Sequence, residues 1–142
     1  MSRPDRVVLG AGAVWLGILV THVTFCLLFG ASVQMQNPRS LSGLWFSLAA
    51  LMYGAIPAIV VGWSLAMPLG LLMRPVSSQW IHVTAFGLLG AGLGVPFGVF
   101  ADPANYFAAS AMGTAAALGR LAVSKLARKY DVGPPAPEPE VR

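Results

Sequence analysis

The chain has 142 residues, 56% of them hydrophobic and only 10% charged, whereas a soluble domain carries about 25% charged residues. Its net charge of +4 comes from Lys and Arg at the ends of long apolar runs, which argues against a nucleic-acid surface and for anionic lipid head groups. The single cysteine, Cys26, excludes an intramolecular disulfide and a paired-cysteine metal site.

Charge-free runs define the elements. No Asp, Glu, Lys or Arg occurs in 7–38, 40–73, 75–101 or 103–119. A helix needs roughly 20 apolar residues to cross a hydrocarbon core. The first three runs exceed that length, and the fourth reaches it if Arg120 snorkels to the interface. The expected fold is all-α, an integral membrane four-helix bundle with both termini in the cytoplasm.

The first predicted helix spans about 8–30. Arg3 and Arg6 resemble the basic start of a signal peptide, but the apolar run from Val7 to Gly30 is 24 residues long and no clear Ala-x-Ala site follows. The helix is therefore read as retained. The second helix spans about 44–66 and can continue to Met73. Residues 40–73 would measure about 50 Å as one straight helix, so Pro57 is expected to kink the segment and Pro68 to end or bend it. A re-entrant hairpin broken at Pro57 would put the basic residues of 120–129 on the opposite side from Arg3 and Arg6. The positive-inside rule favours a single span instead.

The third helix is expected at about 81–100 and the fourth at about 104–130. Trp45 and Trp63 lie 18 residues apart, about 27 Å along a helix, and Trp80 and Phe100 lie 20 apart, about 30 Å. Both spacings match aromatic belts at the two faces of a bilayer. Gly90, Gly94 and Gly98 form a G-x-x-x-G-x-x-x-G ridge on the third helix, a surface that lets another backbone approach closely. Ala104, Ala108, Ala111, Ala115 and Gly119 offer a matching surface on the fourth. Pairing of these two helices within the chain is expected first, and pairing across a homodimer second. At the end of the fourth helix Arg120, Lys125, Arg128 and Lys129 gather on one half of the circumference, where they are expected to meet anionic head groups at the inner leaflet. The tail, 131–142, is Pro-rich and is expected to be disordered.

Two segments echo each other: THVTFCLLFGA at 21–31 and IHVTAFGLLGA at 81–91 contain the only histidines, His22 and His82. Their predicted depths differ by about 20 Å, so they cannot share a metal or haem, and the echo is read as coincidence. His82, beside Trp80, is expected at the interface. His22 is expected in the interior, hydrogen-bonded to Tyr53 in a polar layer that includes Thr114.

No Asp or Glu lies inside an apolar run, which argues against a proton-coupled antiporter. No nucleophile set, metal-ligand motif, phosphate loop or dinucleotide fingerprint occurs, so neither catalysis nor a cofactor is expected. The resulting expectation is a non-enzymatic accessory or scaffold subunit in the cytoplasmic membrane, with a membrane-protein partner or a second copy. The alternative is a small dimeric transporter or channel with a polar path near His22 and Tyr53.

Overall fold

The computed structural model describes residues 6–8, 10–36, 38–73, 75–76, 78–101, 106–126 and 128–130, with the backbone alone at 6–8, 97–101 and 128–130. The chain is helical apart from one short ladder. In order, the elements are β1 (Arg6–Val8), α1 (Ala11–Gln36), α2 (Ser42–Tyr53), α3 (Ala55–Leu72), α4 (Gln79–Ala101), α5 (Phe107–Ala122), a 3-10 turn (Ser124–Leu126) and β2 (Arg128–Tyr130). Among the described residues two helices, α1 and α3, are long and apolar enough to cross a membrane.

Helix α1 runs without Pro or charge until Gln36, just before Asn37-Pro38. A residue preceding proline is pushed out of the helical region. Gln34 then pins the turn. Its Nε2 donates to Ser40 O at 2.6 Å and its Oε1 accepts the Gly43 N–H at 3.2 Å.

The expected single helix at 44–66 is two helices, α2 and α3, which break at Gly54 rather than at Pro57. Pro57 falls in the first turn of α3, where its missing N–H leaves no bond unmade, so the break comes one turn earlier. Pro68 is accommodated inside α3. The two helices still act as one rod against α1. Contacts pass in antiparallel order from Gly30 against Gly43, through Cys26 against Ser47 and His22 against Leu51, to Ile18 against Gly62. Trp15 and Trp63 close this series with ring centroids 5.4 Å apart. Trp63 therefore packs against α1.

Helices α4 and α5 form an antiparallel hairpin whose seam is made of small residues. A Cβ built on Gly94 would lie 2.5 Å from Ala108 O, and one on Gly90 would lie 2.6 Å from Met112 O. Gly98 lies in α4, but its packing is outside the described residues. Helix α5 crosses α1 where Gly119 meets Gly17 and Thr21.

The rods thus run in the order α4, α5, α1 and α2–α3, and no substantial contact joins α3 to α4. The bundle is an arc, open along one side. α5 lies inside it and buries Ala109, Ala111, Gly113, Ala115 and Gly119.

Both ends of the expected helix pattern are corrected by the ladder. β1 pairs antiparallel with β2, Arg6 opposite Tyr130 and Val8 opposite Arg128. The first helix therefore begins at Ala11 rather than residue 8, and the last ends at Ala122 rather than continuing to 130. The amphipathic extension carrying Arg128 and Lys129 is a strand. Backbone bonding between segments some 120 residues apart outweighs the local helical pattern, and β-branched Val7 and Val8 suit a strand. Residues 102–105 and the tail 131–142 lie outside the described residues.

Candidate functional site

The concave side of the arc encloses a half-open groove of about 490 Å³. Every long helix contributes: Gly17, Ile18, Thr21 and Phe25 from α1, Ala50 from α2, Pro57, Ala58 and Gly62 from α3, Phe86 and Leu93 from α4, and Met112, Ala116 and Arg120 from α5. Glycine and alanine make up 11 of the 25 lining residues, and larger apolar side chains such as Phe25, Phe86 and Leu93 supply most of the rest. The surface is almost wholly apolar, and three side chains interrupt it: Thr21, His22 and Arg120.

Two of these are satisfied by their own surroundings. Thr21 Oγ1 donates to Gly17 O one turn back, at 2.8 Å. His22 Nε2 donates to the Leu51 carbonyl at 3.1 Å, in the turn of α2 that the break at Gly54 interrupts. That bond assigns the proton to Nε2, leaving Nδ1 as an acceptor, with Cys26 Sγ 3.9 Å away. The Cε1 edge of the ring faces Gly54, where an added Cβ would lie 2.9 Å from it. The imidazole is a side-chain cap on a broken helix.

The polar layer expected around His22 does not form. Tyr53 is 85% exposed and Thr114 is also exposed, so neither meets the imidazole. The level along the rods was right, since Leu51 and Gly54 do reach His22. The azimuth was not: Tyr53 sits about 100° around the helix from Gly54, on the outer side.

His82 also departs from expectation. It is 1% exposed, the most deeply buried large side chain among the described residues, whereas Trp80 is 73% exposed. Residues two apart on a helix point about 200° away from each other, so proximity in sequence to an interfacial Trp says little about the histidine. His82 Nε2 donates to Val76 O at 2.9 Å and ties the 75–78 turn over the first turn of α4. The two histidines hold different backbone carbonyls, and no group of three His, Cys, Asp or Glu among the described residues could hold a metal ion.

These roles rank the two substitutions. His22→Phe removes a partly exposed membrane-type hydrogen bond and should lower thermal stability in detergent by about 0.6 kcal/mol. His82→Leu removes the hydrogen bond of a fully buried imidazole to the Val76 carbonyl and should lower it by about 1.5 kcal/mol, the upper end for one hydrogen bond. Paired melting curves test this, and the reverse order would refute the assignments.

Arg120 is the residue that sequence reasoning placed wrongly. Expected to snorkel to the head groups, it is 3% exposed, and its Nε, Nη1 and Nη2 are all buried without a hydrogen-bond partner among the described residues. It lies in the last turn of α5, where a cation suits the negative end of the helix dipole, but the dipole supplies no acceptor to its nitrogens. Only Lys125 of the expected head-group cluster has a described and exposed side chain. A signal for Arg120 was present: it sits four residues after Ala116 and seven after Gly113, on the face whose small side chains mark it as the packed one. Compared with protein-family models, with curated proteins and with solved structures, the chain matches none of them.

Proposed function

We propose that this chain is a non-enzymatic, multi-pass protein of the cytoplasmic membrane that holds an apolar, lipid-like guest in its groove, as a carrier or accessory subunit. The observation that carries this reading is the groove itself, about 490 Å³ of almost wholly apolar space inside an open arc of helices. A sealed scaffold has no use for such a space. A water-filled channel needs a continuous polar lining, and the exposed positions of Tyr53 and Thr114 count against a polar path near His22.

The order of the rods supports a reading with four crossings: α1, α2–α3, α4 and α5. The start of α1 and the end of α5 meet through the β1–β2 ladder, and Arg6, Lys125, Arg128 and Lys129 gather at that end. Arg39 lies in the turn at the opposite end of α1. The positive-inside rule assigns the ladder to the cytoplasm. A reporter inserted between Arg39 and Ser40 should be read from outside, and one fused after Arg142 from the cytoplasm. A C-terminal reporter read from outside would defeat this topology.

The groove is tested by filling it. Ala58→Trp places an indole in the space from the α3 side. Purified full-length protein should then retain less co-extracted lipid than wild type, as counted by native mass spectrometry. Equal lipid in both would mean that the groove does not hold the guest.

A further inference from the structure

We infer that Arg120 makes the groove a site for an anionic phospholipid, binding the phosphate of the head group while the acyl chains lie along the apolar lining. This deepens the groove-binding reading above and rests on it.

The argument begins with an imbalance. A guanidinium carries five N–H donors and a charge that it does not lose in proteins. Arg120 is 3% exposed, and none of its three nitrogens has a hydrogen-bond partner among the described residues. An isolated buried charge is among the most expensive features a fold can contain, and removing or failing to supply its partner is strongly destabilising. Elsewhere in the lining the protein is careful: Thr21 and His22 both have backbone acceptors. The chain's acidic residues, Asp5, Asp102, Asp131, Glu138 and Glu140, all lie outside the described residues. Among the described residues, then, no carboxylate is available to Arg120.

The surroundings choose the occupant. Arg120 lines the same groove as Ala58, Leu93 and Phe86, with its nitrogens covered, so whatever reaches them must displace that cover and also lie on apolar surface. A free inorganic phosphate would satisfy the charge and leave that surface bare. A lipid without phosphate would cover the surface and leave the charge bare, and a zwitterionic one would bring its own cation beside the guanidinium along with its phosphate. An anionic lipid with a phosphate head does both, and the planar fork of arginine matches phosphate oxygens two at a time. Access fits as well. The arc is open between α3 and α4, the side from which a chain in the bilayer would enter. Arg120 stands in the last turn of α5, near the end where the basic residues gather, so the guest would come from that leaflet with its head toward Arg120.

The test uses full-length protein in nanodiscs and in delipidated detergent, with phosphatidylglycerol, phosphatidylcholine and inorganic phosphate as probes. Wild type should retain phosphatidylglycerol about tenfold over phosphatidylcholine, whose choline cation opposes the guanidinium that its phosphate attracts. Its melting temperature should rise with phosphatidylglycerol and not with phosphate alone. Arg120→Gln should lose the preference while keeping the total lipid bound, and Arg120→Lys should keep most of it. Equal retention of the two lipids by wild type overturns the proposal whatever the variants do, and is what an internal ion pair would produce. A preference that survives in Arg120→Gln overturns it too, as does stabilisation by inorganic phosphate equal to that by phosphatidylglycerol. Failure of the underlying groove reading shows elsewhere, as unchanged total lipid in Ala58→Trp.

Discussion

Gly94→Leu should lower the stability of the detergent-solubilised protein by about 1–3 kcal/mol or more, the range for overpacking a close contact, while Gly92→Leu on the same helix should leave it almost unchanged. The two glycines are two residues apart and face opposite ways. An added Cβ at Gly94 would lie 2.5 Å from Ala108 O and 2.6 Å from Ala109 Cα. Those are backbone atoms of α5, which cannot rotate away as a side chain can. Leucine would have to push the two helices apart along the whole seam, breaking the close approach at Gly90 as well. A Cβ at Gly92 would meet nothing within 4 Å. Helix propensity cannot account for a difference, because both changes replace Gly by Leu within one helix and gain about equally from it. The measurement is a pair of melting curves with the wild type. Equal stability of the two variants would refute the assignment of the α4–α5 seam and would require the ridge of Gly90 and Gly94 to face lipid.

Much of this arrangement is legible because long apolar helices announce themselves by the charges they lack. The charge-free runs located the rods to within a few residues, and the four-residue spacing of Gly90 and Gly94 marked a surface built for another backbone. The breaks were less legible. Pro57 was visible as a disruptive residue, but its effect appears at Gly54, because a proline is comfortable in the first turn of a helix and the interruption shifts upstream. The β1–β2 ladder left no local signal: Arg128–Tyr130 sits in a stretch with a sound helical pattern, and only its distant partner Arg6–Val8 makes it a strand.

The candidate site was harder to see, for a geometrical reason. Depth along a helix follows from counting residues, so the level shared by His22 and the middle of the second rod could be anticipated. Azimuth depends on which face each rod turns inward, and helices that are apolar all round have little contrast between faces. Tyr53 and Thr114 were lost on that account. Arg120 was lost because a cation at the end of an apolar run is ordinarily a snorkelling residue, and the small residues beneath it, Gly113 and Ala116, were read as packing alone. Its burial depends on α1 crossing at Gly17 and Gly119, a tertiary contact with no signature in the order of residues.

Gly30→Ala and Gly43→Ala should each destabilise the protein by about 1–3 kcal/mol, the range for overpacking. The double variant should fall short of their sum by about 0.5–3 kcal/mol. These glycines mark the closest approach of α1 and α2. A Cβ on Gly30 would collide with Ser47 Oγ and stand 2.5 Å from Gly43 O, and a Cβ on Gly43 would collide with Gly30 O and stand 2.6 Å from Gln34 Cβ. Each methyl group thus strikes the backbone of the other glycine. The first substitution must move the helices apart, and the gap it opens is the one the second needs. Independent sites add, whereas sites that share one displacement do not. The separation should also stretch two bonds of the same contact, Ser47 Oγ to Cys26 O at 3.1 Å and Gly43 N–H to Gln34 Oε1 at 3.2 Å. Ser47→Ala therefore serves as a third probe: it removes the hydroxyl that meets the new methyl group, so Gly30→Ala should be less damaging in its presence. The full cycle is measured by thermal unfolding in one detergent at one protein concentration. Strict additivity of the two alanines would mean that Gly30 and Gly43 do not face each other, and the antiparallel pairing of α1 with the second rod would have to be abandoned at its outer end.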